Sequence, residues 1–409
     1  MKNIYQSSKC DIEIKKRAEE CIAQKALTNS KRPEVFVNGF FPTHITGGHG
    51  VHLRDTLNNL YVDFACGLGT NILGYGNQLV LNAATEAGRS GVSHSLSHVK
   101  EVELAEKIKE IMPFIERVKF LKSGTEGCIA SIKIARAFTG RHVVLTEGYH
   151  GWSDEFISLT PPAFGVPPHH YIRKLSPDSD FSDVAAIIIE PVMTEFSDKR
   201  IEELKALRQK CTDSGTLLIF DETITGMRFP KWSVAGYTGI SPDLIIFGKA
   251  LANGYPLSCV GGKAEIMNGD YFVSSTFAGD AVAISAALAT IKAIQKSYDL
   301  NHLWRSGLLF QERFNALNEH VKIQGYPTRG IISGTDMHKA LFMQEACRAG
   351  LLFGPSWFWA FPHIEISDQI INVLKDVFRK LSLGNVKLEG AMPKKAIAAK
   401  IREESNVKT

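Results

Sequence analysis

Several familiar signatures are missing from this sequence. No two of its seven cysteines (Cys10, Cys21, Cys66, Cys128, Cys211, Cys259 and Cys347) stand in C-x-x-C spacing, and their number is odd. Neither a zinc site nor a disulfide framework is indicated, no metal is expected, and the thiols read as reduced core residues. A surplus of one charge sign is missing too. Lys and Arg number 47 against 43 Asp and Glu, interspersed, for a formal charge of +4. That excludes the footprint of a nucleic-acid or membrane-surface binder. No apolar run approaches the length of a membrane span, and the opening residues from Lys2 through Lys9 are polar, so a cytoplasmic location is expected. No G-x-G-x-x-G follows the first strand of a βαβ unit, which removes the dinucleotide fingerprint of a dehydrogenase. Chemistry on small molecules remains.

A chain of 409 residues has room for one large domain and a smaller one. From Lys9 to about Asn29, apolar residues at Ile12, Ile14, Ala18, Cys21, Ile22 and Leu27 predict an amphipathic helix. Val51 to Phe64 alternates like a hairpin, with Thr56 to Asn59 as its polar turn. Between residues 65 and 295, the runs Val118–Leu121, Val143–Leu145, Ala185–Ile189, Leu217–Phe220 and Leu244–Phe247 alternate with helical patterns. This predicts an α/β domain with a mostly parallel sheet covered by helices. Residues 296–383 mix helices with weak strands and read as a smaller α+β domain, with the 1–64 segment packing against it. The stretch 384–409 reads as a polar tail with a short charged helix-like run to Arg402, solvated or loosely docked.

The residues just past each strand carry the chemistry, because ligands in open α/β sheets sit beyond the carboxyl ends of the strands. After the first run comes Lys122-Ser123-Gly124-Thr125, a small-residue helix start whose backbone N–H groups suit a phosphate, or which is simply capped by Ser123 or Thr125. After the second comes Gly148-Tyr149-His150-Gly151, where Tyr149 can stack on a planar ring and His150 can serve a neighbour by hydrogen bonding. Glu190-Pro191 comes after the third. Asp221-Glu222 ends the fourth, and a buried carboxylate there needs a cation such as a protonated pyridine nitrogen, unless it caps the next turn. Gly248-Lys249 comes after the fifth, and burial of that lysine favours the neutral amine that attacks an aldehyde. Ser275-Thr276, before an alanine-rich helix starting near Val282, offers another hydroxyl and N–H for phosphate.

Together these motifs, in this order, resemble the class III aminotransferases, which depend on pyridoxal 5'-phosphate (PLP) and share its fold type I. Leu53-Arg54-Asp55, Tyr61-Val62-Asp63-Phe64, Ser123-Gly124-Thr125-Glu126, Tyr149-His150-Gly151, Glu190-Pro191-Val192, Ile219-Phe220-Asp221-Glu222, Thr225-Gly226-Met227-Arg228, Pro242-Asp243-Leu244 and Gly248-Lys249 carry the likeness. Within the family the chain is most similar to glutamate-1-semialdehyde aminomutases, through Ile72-Leu73-Gly74-Tyr75, Arg136-Ala137-Phe138-Thr139-Gly140-Arg141 and Gly261-Gly262-Lys263. The resemblance implies an aspartate aminotransferase-like fold, with a seven-stranded sheet in a large PLP-binding domain (65–295). It implies that Lys249 carries the cofactor as a Schiff base, Asp221 pairs with the pyridine nitrogen and Tyr149 stacks on the ring. Gly124 and Thr125 would hold the phosphate, and Ser123, His150 and Glu222 are grouped with these cofactor-binding residues. Thr276 would reach the phosphate of the neighbouring subunit's cofactor, which requires a homodimer with active sites at the interface.

The sequence also departs from the family. Thr223 stands where an aliphatic residue is usual, Asp280-Ala281 where Asn-Pro is usual, and Trp357-Phe358-Trp359 where aminomutases carry a glutamate. Arg32 lies near the family's substrate-carboxylate arginine, and Trp359 belongs to a possible aromatic substrate wall or to the core. The activity expected is amino transfer from a small-molecule donor to a keto or aldehyde acceptor, through the Lys249 Schiff base and pyridoxamine phosphate. The alternative is glutamate-1-semialdehyde 2,1-aminomutation with the same residues. A non-catalytic scaffold of the same fold fits less well, since it would not need Lys249, Asp221, Tyr149 and Ser123-Gly124-Thr125 together.

Overall fold

The computed structural model describes residues 9–160 and 165–406; the polar opening from Lys2 lies outside them, save Lys9. The chain divides into two compact units, one of residues up to Asn77 with His302–Lys400, the other of Gln78–Asn301 with the residues from Ile401 onward.

In the first unit the helix Lys9–Cys21 stops short of the expected Asn29. Ile22 takes extended dihedrals and Gln24 turns to φ 59, which ends the helical ladder. β1 (Ile45–His49), β2 (His52–Asp55) and β3 (Leu60–Asp63) form an antiparallel meander. The expected hairpin is β2 and β3. Asp55 builds its turn by accepting from the N–H groups of Leu57 (2.8 Å) and Asn59 (2.9 Å).

The second unit is built on a sheet of seven strands, β4 (Arg117–Leu121), β5 (Val143–Glu147), β6 (Ile172–Lys174), β7 (Val184–Ile189), β8 (Leu217–Asp221), β9 (Leu244–Phe247) and β10 (Ser258–Gly262). Its order is β4-β10-β9-β8-β7-β5-β6, and β10 alone runs antiparallel to its neighbours. β7, β8 and β9 are buried at every residue, which is why their sequences are continuous apolar runs rather than alternating ones. β6 and β10 escape the sequence reading. One is three residues long, and the other, Ser-Cys-Val-Gly-Gly, has little β-branched character. The helix Gly124–Thr139 lies on the sheet at Gly127, where a Cβ would meet Ile246 Cγ2 at 2.8 Å. The alanine-rich helix Ala281–Lys296 packs on Gln78–Arg89, with Gly88 facing Val282.

The rest of the first unit adds β11 (Lys322–Tyr326), β12 (Arg329–Ser333), β13 (Leu351–Leu352) and β14 (Ser356–Phe358). β13 joins β3 in parallel, while β11, β12 and β14 form a separate antiparallel sheet. Aromatic rings fill its core. Phe64 stacks on Phe353 at 3.8 Å between centroids, and Phe310 on Trp359 at 4.4 Å.

Candidate active site

The carboxyl ends of β4, β5, β7, β8 and β9 lie on one edge of the sheet, because these strands share a direction. At the end of β8 stands Asp221, 5% exposed. His150 Nδ1 lies 2.9 Å from its Oδ2, the Cys128 thiol donates to the same oxygen at 3.3 Å, and Thr223 donates to Oδ1 from its hydroxyl (2.6 Å) and its N–H (3.1 Å). Desolvation pushes the Asp221 carboxyl up, but His150 and the two donors of Thr223 outweigh it and hold the group below the usual carboxylate range. Thr223 departs from the family's aliphatic residue, and its hydroxyl adds a donor to the carboxylate.

Lys249 follows β9 with φ 42, a left-handed conformation that only a few per cent of non-glycine residues adopt. Burial first and the charge of Arg402 second bring its ammonium down from 10.5 to about 8, against the opposing pull of Asp221, Glu190 and Cys128. A lysine so placed exchanges between ammonium and free amine near neutral pH.

Tyr149 sits on a turn that glycine makes possible. Gly148 and Gly151 both have φ +107, and a Cβ on Gly151 would fall 2.2 Å from Thr125 Oγ1. The turn thus lies directly on the helix start that holds Ser123, Gly124 and Thr125. There a capping box forms: Ser123 Oγ accepts from the N–H of Glu126, and Glu126 Oε2 accepts from the N–H of Ser123. The N–H groups of Gly124 and Thr125, in the first turn, have no intrahelical acceptor and remain for an anion.

The other expected residues have the following surroundings. Glu222 is fully buried, and its carboxylate accepts from Val234 N–H (2.8 Å), Ala235 N–H (2.9 Å) and the Thr225 hydroxyl (2.8 Å), so it organises the loop after β8. Burial pushes it up to about 7. Thr276 is exposed, on the stretch before Ala281–Lys296. Arg32 and Trp359 belong to the first unit. Arg32 Nε is buried without a hydrogen-bond partner. Trp359 is fully buried, donating from Nε1 to Ser306 Oγ at 3.0 Å and stacked on Phe310 and His363. Asp280 accepts from the N–H groups of Val282 and Ala283 and pairs with Lys122.

Glu190, one of the expected strand-end groups, and Arg402, from the tail expected to be solvated or loosely docked, complete the cluster. Glu190, just past β7 and 4% exposed, accepts from the N–H of Tyr149 at 2.8 Å. Arg402 meets it with two bonds, Nε to Oε1 at 2.7 Å and an Nη to Oε2 at 3.1 Å. The expected polar tail is helical over Ile397–Asn406, and one of its charged residues is drawn into the site. Cys128, His150 and Asp221 also present donor atoms within 4.8 Å of one another. Burial pushes the Cys128 thiol well up, which keeps it a proton donor to Asp221 rather than a thiolate ligand.

Fold and site define a PLP-dependent enzyme. Residues 37–381 match the family described as Aminotransferase class-III, and the chain belongs to it. The glutamate-1-semialdehyde 2,1-aminomutase of Syntrophomonas wolfei is 33% identical over 368 residues, covering 78% of this chain and 85% of that protein. The enzyme of the same name from Methylacidiphilum infernorum is 29% identical over 396 residues, covering 84% and 92%. Among solved structures, the FumI protein of Sphingopyxis sp. MTA144, in its PLP internal aldimine form, superposes with a TM-score of 0.85 at 23% identity, covering 93% of this chain and 99% of that one. An omega-transaminase from Sphaerobacter thermophilus gives 0.78 at 21%, covering 91% and 98%.

Proposed function

We propose that this enzyme moves an amino group from a small-molecule donor to a keto or aldehyde acceptor, working as a homodimer with Lys249 as its catalytic base and cofactor anchor. The observation that carries the reading is a half-buried lysine, shifted to about 8, just past the strand adjacent to the one that ends in a buried, multiply bonded Asp221. The residues present fit PLP: an amine for its aldehyde, a carboxylate for its ring nitrogen, an aromatic face, and a helix start whose first N–H groups, on Gly124 and Thr125, suit its phosphate.

When bound, PLP supplies an electron sink that acidifies the donor's Cα–H bond. Asp221, kept ionised by His150 and Thr223, holds a proton on the ring nitrogen. The Lys249 amine would take the donor's Cα proton and deliver it to the cofactor's C4', across the intervening nitrogen, which its shifted basicity allows near neutral pH. Tyr149 limits the tilt of the ring, and Thr276 serves the phosphate of the partner's cofactor.

A second reading, glutamate-1-semialdehyde 2,1-aminomutation, uses the same groups and is favoured by the names of the curated relatives. Against it stands the Trp357-Phe358-Trp359 stretch, where Trp357 and Trp359 are fully buried and no carboxylate is offered. Mixing PLP-loaded protein with glutamate, alanine and diamines, without acceptor, separates the two. Amino transfer is expected to bleach the visible cofactor band with one donor and release its keto product. Conversion of glutamate-1-semialdehyde to 5-aminolevulinate, with no donor bleaching the band, would decide for the aminomutase.

A further inference from the structure

We propose that Arg402 is a positioning residue of the cofactor site: it fixes Glu190, and through Glu190 the backbone of Tyr149, so that the aromatic face offered to the cofactor is set by the C-terminal helix. The proposal rests on the assignment of Tyr149 to the cofactor ring.

The turn after β5 has few anchors of its own. Gly148 takes φ +107, and a Cβ there would lie 2.9 Å from Glu190 Oε1, so this carboxylate is already packed against the turn. Gly148 N–H donates to Ser405 Oγ at 3.3 Å, and Tyr149 N–H to Glu190 Oε1 at 2.8 Å. His150 is held at 2.9 Å from Asp221 Oδ2 and at 3.1 Å from the carbonyl of Glu147. Two of three consecutive residues therefore depend on residues 402–405, directly or through Glu190.

Arg402 is suited to the task. Glu190 Oε1 receives both the Tyr149 N–H and the Arg402 Nε–H, so the planar guanidinium fixes where that oxygen stands. The guanidinium carbon also lies 5.5 Å from the centroid of the Tyr149 ring, so the residue that anchors the backbone also bounds the ring. Glu404 pairs with Lys174 at 3.1 Å and keeps the helix in register. Burial alone would lower Arg402, but Glu190 and Asp221 hold it charged. A carboxylate as buried as Glu190 is costly without such a partner.

The test compares the full chain with Arg402→Met, Arg402→Lys and the double variant Glu190→Gln with Arg402→Met, each stripped of cofactor and titrated with PLP. The readouts are the dissociation constant and the circular dichroism induced in the bound cofactor. Arg402→Met is expected to weaken PLP about tenfold or more and to reduce the induced signal, the effect of one charge-assisted bond. Arg402→Lys, which keeps the charge but not the two-pronged contact, falls between. In the double variant no charge is stranded, but nothing fixes the amide at position 190, so affinity and signal stay low. Arg402→Met with unchanged affinity and signal would overturn the proposal, and so would a double variant restored to the parent's values, since a stranded charge alone would then explain the loss. If the unaltered protein takes up no PLP, the cofactor site itself is wrong; if it does and only the variants disagree, the positioning role alone fails.

Discussion

At Lys249 the sequence offers a lysine after an apolar run, and only burial makes it chemical. Its shift from 10.5 to about 8 has two consequences of determined sign. The free amine attacks PLP, so the rate at which cofactor-free protein captures PLP is expected to climb about tenfold from pH 7 and level off above pH 9. A rate still rising steeply beyond pH 9 would show an ordinary lysine. Between about 8 and 10.5 the unfolded chain binds the proton that the folded one has lost, so the stability of the cofactor-free protein rises with pH across that window. Thr223 yields a second test. Replacing it by Val removes the 2.6 Å hydroxyl donation to Asp221 while keeping its N–H contact. The protein should fold and turn over, since the family ordinarily has an aliphatic residue here. The acid limb of its pH profile is expected to move toward neutrality, as Asp221 protonates more readily. An unmoved limb would mean that His150 and the Thr223 N–H hold Asp221 without help from the hydroxyl. Lys249, Asp221 and Tyr149 were legible because each follows a buried run. Glu222 was placed at the cofactor by its neighbour, yet its own oxygens belong to Val234, Ala235 and Thr225. One residue of offset on a strand end reverses the side a group faces.

At the scale of elements, the runs that were easiest to read are those buried on both faces, β7, β8 and β9. β6 and β10 were illegible because shortness and glycine leave no periodicity to detect. In the C-terminal helix the helical run was legible, but its docking was not, for a different reason. Ile397–Asn406 has the composition of a solvated run, and nothing local tells Arg402 from Lys400 or Glu403. Only the buried carboxylate of Glu190, more than two hundred residues earlier, selects it. The helix start at Ser123 shows the opposite case, a local signal with a local cause. Ser123→Ala removes the cap on Glu126 N–H and should cost about 1 kcal/mol of stability, read as a lower thermal midpoint. Because Gly124 and Thr125 keep their N–H groups, PLP affinity should fall less than stability suggests. A large loss of affinity with an unchanged midpoint would instead place the Ser123 hydroxyl on the phosphate.

For the whole molecule, the apolar surface of the second unit bears on assembly. Phe272 and Phe277 are 81% and 58% exposed, on either side of Ser274 to Thr276, and Leu96, Val99 and Val102 are exposed as well. A cavity of about 460 Å³ joins two of these stretches, lined by Val102, Phe120, Val273 and Ala278 among others. Single exposed apolar residues are ordinary, but two aromatic side chains beside a polar stretch expected to serve a second chain are the pattern of a covered face. If Thr276 reaches the partner's cofactor, then Phe277→Asp, next to it, should shift the sedimenting species from dimer toward monomer. It should also weaken PLP in proportion, since each site would lose a phosphate contact from across the interface. Thr276→Ala should weaken PLP while leaving the dimer intact. If Phe277→Asp gives a monomer that binds PLP as tightly as the parent, each chain holds its cofactor alone and Thr276 has no part in it.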